Sequence, residues 1–300
     1  MKFVSDSLKD RLTRPLKELP HPGKESLRHA RELAEYGLND VDSAKANYNA
    51  GRFANAAEDL QQSVEKGAKA FGLIIGTIEP TEEQLKYKKG VRHLAYRALI
   101  LNFWNFYPRV LNLPDMLRDA TQMEELHKPV MIRTIKKLQE LVDNLRKTIS
   151  KDNIDAEIEE LRNLDEESMW KATLNFDRSN TWVLRALNEM DQNPILDKTV
   201  SWLIPLANQM KKVGFFSDED VQLMKFASNL GKASLKLFSL SLLTTWHYEP
   251  ARYPPIGKSD YWYFDSYKKG VPYVDKMPDL IKAAKSALKG IIGACKSAPA

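Results

Sequence analysis

Cysteine is almost missing from this chain, with Cys295 the only one in 300 residues. One thiol cannot close an intramolecular disulfide, so a disulfide-stapled scaffold is excluded and a reducing, cytoplasmic setting is expected. Long apolar runs are missing as well. The most apolar stretch, residues 235–246, falls far short of the roughly 20 residues a membrane span needs, so no membrane partner is expected. The opening residues MKFVSDSLKD interrupt their apolar positions with charge too soon for a signal-peptide core. No alternating apolar and polar run bounded by turn signals is long enough to build a sheet. Metal chemistry has little to stand on. There is no His-Glu-x-x-His, no cysteine pair and no calcium loop, and the lone Glu124-x-x-His127 is one unit of a di-iron pattern that needs two plus further glutamates. No glycine-rich phosphate loop and no recognisable nucleophile setting occurs, so neither metal nor cofactor is expected.

What the chain does hold is 43% hydrophobic and 28% charged residues, the balance of a globular protein long enough to bury a proper core. Its net charge of +5 permits an anionic partner without requiring one. The strongest pattern lies in residues 52–76. There Phe53, Ala57, Leu60, Val64, Ala68, Phe71 and Ile75 recur every three or four positions as one helical stripe. The opposite face, Glu58, Gln62, Glu65, Lys66 and Lys69, is expected to be solvated, with Glu65 and Lys69 spaced for a helical ion pair.

Around this element the chain reads as all-α. Pro15, Pro20, Pro22 and Gly23 make residues 1–23 an arm. Leu27, Ala30, Ala34, Leu38, Val41 and Ala44 mark a first amphipathic helix over 25–47, and Gly51 turns it back against the second. A third helix is expected from Thr81 towards Tyr107. Further helical segments follow through 115–213, and their most acidic part, residues 152–167 with eight carboxylates, reads as a solvated hairpin or an acidic docking site. Ser217 followed by Asp218 and Glu219 starts a long helix that reaches Trp246, the serine as N-cap and the acids in the positive first turn.

Tyr48, Gly51, Arg52, Ala57, Gln61-Gln62, Glu65-Lys66, Lys69-Ala70 and Gly76 resemble, in order and type, the second helix of HEPN domains. Val91-Arg92-His93-Leu94 is similar to the histidine-containing turn that follows it in the family. Ala251-Arg252-Tyr253-Pro254 resembles the Arg-Tyr-Pro that ends the fourth core helix, and residues 278–296 look like the short fifth helix. The resemblance implies a HEPN-like antiparallel helical bundle formed by residues 24–107 and 217–296, enlarged by a helical insertion over 108–216. It also implies pairing across a two-fold axis, so a homodimer is expected.

Catalytic members of that family place Arg four to six residues before His, so that a guanidinium can stabilise a phosphorane-like state while the imidazole moves a proton. Here His29, His93, His127 and His247 lack such an arginine, and the only fit, Arg14 to His21, lies in the arm. The reversed pair His247 and Arg252 either acts chemically or leaves Arg252 capping helix carbonyls. Residues 246–273 interleave Trp246, Tyr248, Tyr253, Tyr261, Trp262, Tyr263, Phe264, Tyr267 and Tyr273 with Arg252, Lys258, Lys268 and Lys269. Such a mixture suits base stacking with phosphate contact, and equally suits pinning a loop to a core.

The resemblance therefore implies a binding or accessory protein near RNA or nucleotides, in RNA metabolism, toxin–antitoxin or defence systems, without the usual ribonuclease motif. Its anion- or RNA-contact candidates are His93, Arg97, His247, Arg252 and Tyr253. Two other readings stay open: a non-enzymatic scaffold that docks a protein partner on the 108–216 insertion, and a ribonuclease using an altered His247 and Arg252 arrangement. A clustered basic surface favours nucleic acid; an exposed apolar patch favours a protein partner.

Overall fold

A computed structural model of the chain describes residues 21–76, 78–80, 216–245 and 267–298, with isolated positions 204, 208, 211 and 212. Within these residues lie four α-helices and no strand: α1 (Lys24–Asn49), α2 (Phe53–Ile75), α3 (Asp218–Thr245) and α4 (Pro272–Ser297). The expected third helix, the 108–216 insertion and the acidic 152–167 stretch fall almost wholly outside them.

α1 and α2 form an antiparallel pair across a three-residue turn. Gly51 takes a positive φ of 74°, a conformation that strains any residue carrying a Cβ, and Arg52 N–H donates back to the Asn47 carbonyl at 2.9 Å. Gly76, at φ 76°, ends α2 in the left-handed cap that helix C-termini favour. α3 begins as its sequence implies. The Ser217 hydroxyl accepts the Asp220 N–H at 3.1 Å while the Asp220 carboxylate accepts the Ser217 N–H at 2.9 Å, a reciprocal cap made with aspartate.

α4 runs longer than the expected 278–296, because Pro272 rather than Pro278 opens it. Pro278 sits inside the helix, where it removes one backbone hydrogen bond at a cost of about 3 kcal/mol. Burial of Tyr273, Val274 and Met277 around it offsets that cost, at roughly 1.5–3 kcal/mol for each large apolar side chain.

One continuous core joins all four helices. Ala57, Leu60, Val64, Ala68 and Phe71 of the α2 stripe are buried in it, whereas Phe53 and Ile75 at the ends are only half-buried. Leu230, Leu237 and Leu240 of α3 and Leu288 and Ile291 of α4 complete the packing. The approach is closest at Gly67, where an added Cβ would come within 2.6 Å of Leu237 Cδ2 and 3.1 Å of Leu288 Cδ2. Gly290 does the same for the antiparallel α3–α4 seam, where a Cβ would lie 3.1 Å from Ala233 Cβ. Glycine lets these helix axes close further than alanine would.

Candidate functional site

His93, Arg97, His247, Arg252 and Tyr253 all lie outside the described residues. Of the aromatic segment, Tyr267 and Tyr273 are described and both are buried, so those two rings serve packing. Lys269, beside them, is exposed and reaches across to the α1–α2 turn. Its ammonium stands 4.3 Å from the centre of the Tyr48 ring and 5.4 Å from that of Phe53, and it donates to the Tyr48 hydroxyl. The two rings meet edge to face at 5.3 Å. A cation over two aromatic faces ties the residues before α4 to the far side of the bundle.

The polar side of α2 is not solvated as expected. Every residue from Ala56 to Ile75 is buried or half-buried, because the other helices crowd α2 beyond the reach of one stripe. Its charges are accordingly paired. Lys66 bonds Asp40 of α1, with side chains only 28% and 21% exposed, and Lys69 meets Glu65 at 2.9 Å, the helical pair that the spacing implies. Asn47 donates to Asp59 at 2.7 Å, and the Gln62 amide donates to Glu58 at 3.2 Å. Partial burial pushes the Asp59 carboxyl above its ordinary range, the Asn47 bond opposes that shift, and the neighbouring Asp40 and Glu58 carboxylates add to it. This flank holds charge in closed pairs. It has no surplus to offer a ligand.

The face over the α3–α4 seam is different. Downstream of Asp220, α3 carries Lys225, Lys232 and Lys236 and no acid; downstream of Asp279, α4 carries Lys282, Lys285, Lys289 and Lys296 and no acid. Asn229 faces Gly293 and Ser297 across the seam, and Lys236 donates to Ser286 at 2.9 Å. Helical spacing from these contacts places Lys225 and Lys232 on the outer edge of α3, and Lys282 and Lys289 on the adjoining outer edge of α4. Lys282, Lys289 and Lys296 are exposed, one every seven residues. Lys285, on the α1 side, is held by Asp42 at 2.7 Å. Sequence reasoning missed this surface, although the seven-residue lysine spacing and the loss of acids after Asp279 were both legible.

The remaining chemistry is limited. His29 lies 3.7 Å from Glu25 and 3.6 Å from Glu32 on the outer face of α1. Cys295 is half-buried against the α1 side of α4, and burial pushes its thiol up to about 11, so it stays protonated and is a poor nucleophile at neutral pH. Among the described residues no cluster of three metal-ligating side chains occurs, and no helix is long and apolar enough to cross a membrane. The only large hydrophobic residue exposed among them is Tyr36, too isolated to form an apolar docking patch. Comparison of the chain with family models, with curated proteins and with solved structures finds no match in any of the three.

Proposed function

We propose that this chain is a HEPN-like helical binding protein that contacts RNA, or a related phosphate-bearing ligand, through surface charge, and works as an accessory factor rather than a nuclease. The observation that carries the reading is the lysine face over α3 and α4, a surface of one sign whose most exposed members, Lys282, Lys289 and Lys296, stand clear of carboxylates on their own helix. A polyanion gains from such a surface by releasing its condensed counterions. The antiparallel α1–α2 pair, with Gln61-Gln62, Glu65-Lys66 and Lys69-Ala70 on one helix, supports the family side of the reading. The absence of an Arg-x4–6-His pattern outside the N-terminal arm supports the non-catalytic side. A role in RNA metabolism, toxin–antitoxin or defence systems, and a homodimer, follow from the resemblance.

The test is binding and cleavage of a mixed RNA pool by the full chain and by Arg252→Ala, at low and at moderate salt. Binding that weakens steeply with salt, without cleavage, is the expected result. Cleavage lost in the variant would return the protein to the ribonucleases. Failure to bind at low salt would leave a protein scaffold.

A further inference from the structure

The lysine face has no planar group on it. Along α3 and α4, the exposed and half-exposed positions flanking the seam are Lys, Gln, Asn, Ser, Met and small residues; the aromatic side chains whose burial is described, Phe226, Tyr267 and Tyr273, are buried, and the exposed Tyr36 belongs to α1. No arginine occurs in either helix. Proteins that hold single strands without sequence preference interleave cations with rings on which successive bases stack. Reading base edges takes forked or amide donors set for bidentate contact. A row of lysines offers neither; it offers mobile point charges, which suit phosphate oxygens.

We infer that the two lysine rows, Lys225 and Lys232 on α3 with Lys282, Lys289 and Lys296 on α4, form a backbone-reading track for double-stranded RNA. This rests on the RNA-contacting role proposed above and specifies its ligand. A duplex keeps its bases stacked on one another and presents its phosphates in a fixed array, so it needs no aromatic platform from the protein. The exposed α4 lysines span about 21 Å at 1.5 Å per residue, a length over which a duplex presents on the order of ten charges. The close α3–α4 approach at Gly290 sets the second row beside the first, so the track has width as well as length. Binding through it is independent of base sequence.

The experiment uses the full chain with a mixed-sequence RNA of about 20 base pairs, with one of its strands alone, and with anionic phosphatidylserine vesicles, each titrated at several salt concentrations. The expected result is duplex binding stronger than single-strand binding, with a salt slope close to −3 or steeper, as three or more phosphate contacts require at about −0.9 each. The triple variant Lys282→Gln, Lys289→Gln, Lys296→Gln should flatten that slope by about 3 while its melting temperature and circular dichroism match wild type. Equal or tighter binding of the single strand would overturn the duplex inference and leave the RNA-binding role standing. Unchanged affinity in the triple variant would overturn the track alone. Binding to neither RNA, with or without capture by the vesicles, would overturn both.

Discussion

On the α1–α2 flank Lys66 meets Asp40 and Lys69 meets Glu65, whereas on the α3–α4 flank Lys282, Lys289 and Lys296 project from a helix with no acid beyond Asp279. The residue type is the same and the employment is opposite. Where helices crowd together, a lysine left unpaired is costly to desolvate, so each half-buried ammonium on α2 is matched to a carboxylate. Where water covers the surface, an unpaired lysine costs almost nothing to the fold, and its charge is available to something else. Paired charge therefore marks packing here, and unpaired charge marks the surface open to a partner.

The two flanks meet at Gly67, and the largest expected effect comes from breaking them there. Gly67→Val puts carbon atoms where Leu237 and Leu288 already stand, 2.6 and 3.1 Å from the first added atom. Overpacking of that kind should cost about 3 kcal/mol, read as a fall in the urea midpoint followed by circular dichroism. Leu237→Ala in the same chain should recover part of the loss, since the two changes share one space. An unchanged midpoint in the single variant would mean that α3 and α4 do not close on α2 as described.

Next in size is the thiol on the reverse of the lysine helix. With the Cys295 pKa at about 11 rather than the ordinary 9.0, the folded chain at pH 8 holds roughly one-hundredth of the thiolate that the unfolded chain holds. Alkylation by iodoacetamide should accordingly run about 100-fold slower in buffer than in denaturant. Rates within a factor of a few of each other would place Cys295 on an open surface and detach α4 from α1.

The contrast between flanks is tested most directly by removing one lysine from each. Lys66→Ala strands Asp40 half-buried and should lower stability by about 1–2 kcal/mol with little effect on RNA affinity. Lys282→Ala should change stability by no more than about 0.5 kcal/mol and weaken RNA binding at low salt. The reverse assignment of losses would overturn the distinction between paired and open charge.

Much of this arrangement was legible in the residues. The apolar spacing of α1 and α2, the Ser217 cap and the Gly76 stop each act within a few positions of the chain, and local chemistry decides them. The α2 polar face was misread because amphipathic spacing tells which side is most buried and says nothing about how many neighbours press on the other side. The early start of α4 was missed because a proline inside a helix argues for a boundary, and only the burial of Tyr273, Val274 and Met277 reverses it. The lysine face depends on which helices lie side by side, which a net charge of +5 cannot express.

The smallest expected effect turns on Asp59, where the paired flank is least settled. Burial raises its carboxyl above the ordinary 3.8, with Asn47 holding it partly in check. A carboxyl raised in the folded state binds a proton there more readily than in the unfolded chain, so folding is favoured below the ordinary value and that advantage is lost as pH rises through the folded one. Asp59→Asn keeps an oxygen to accept the Asn47 amide and removes the charge. It should therefore match wild type at pH 3 and exceed it slightly at pH 7, by about half a kcal/mol or less, as urea midpoints at the two pH values would show. If the variant is instead the weaker protein at pH 7, the ionised bond from Asn47, together with attraction to Lys66, outweighs the cost of burying the charge, and Asp59 belongs with Asp40 among the carboxylates that hold this flank together.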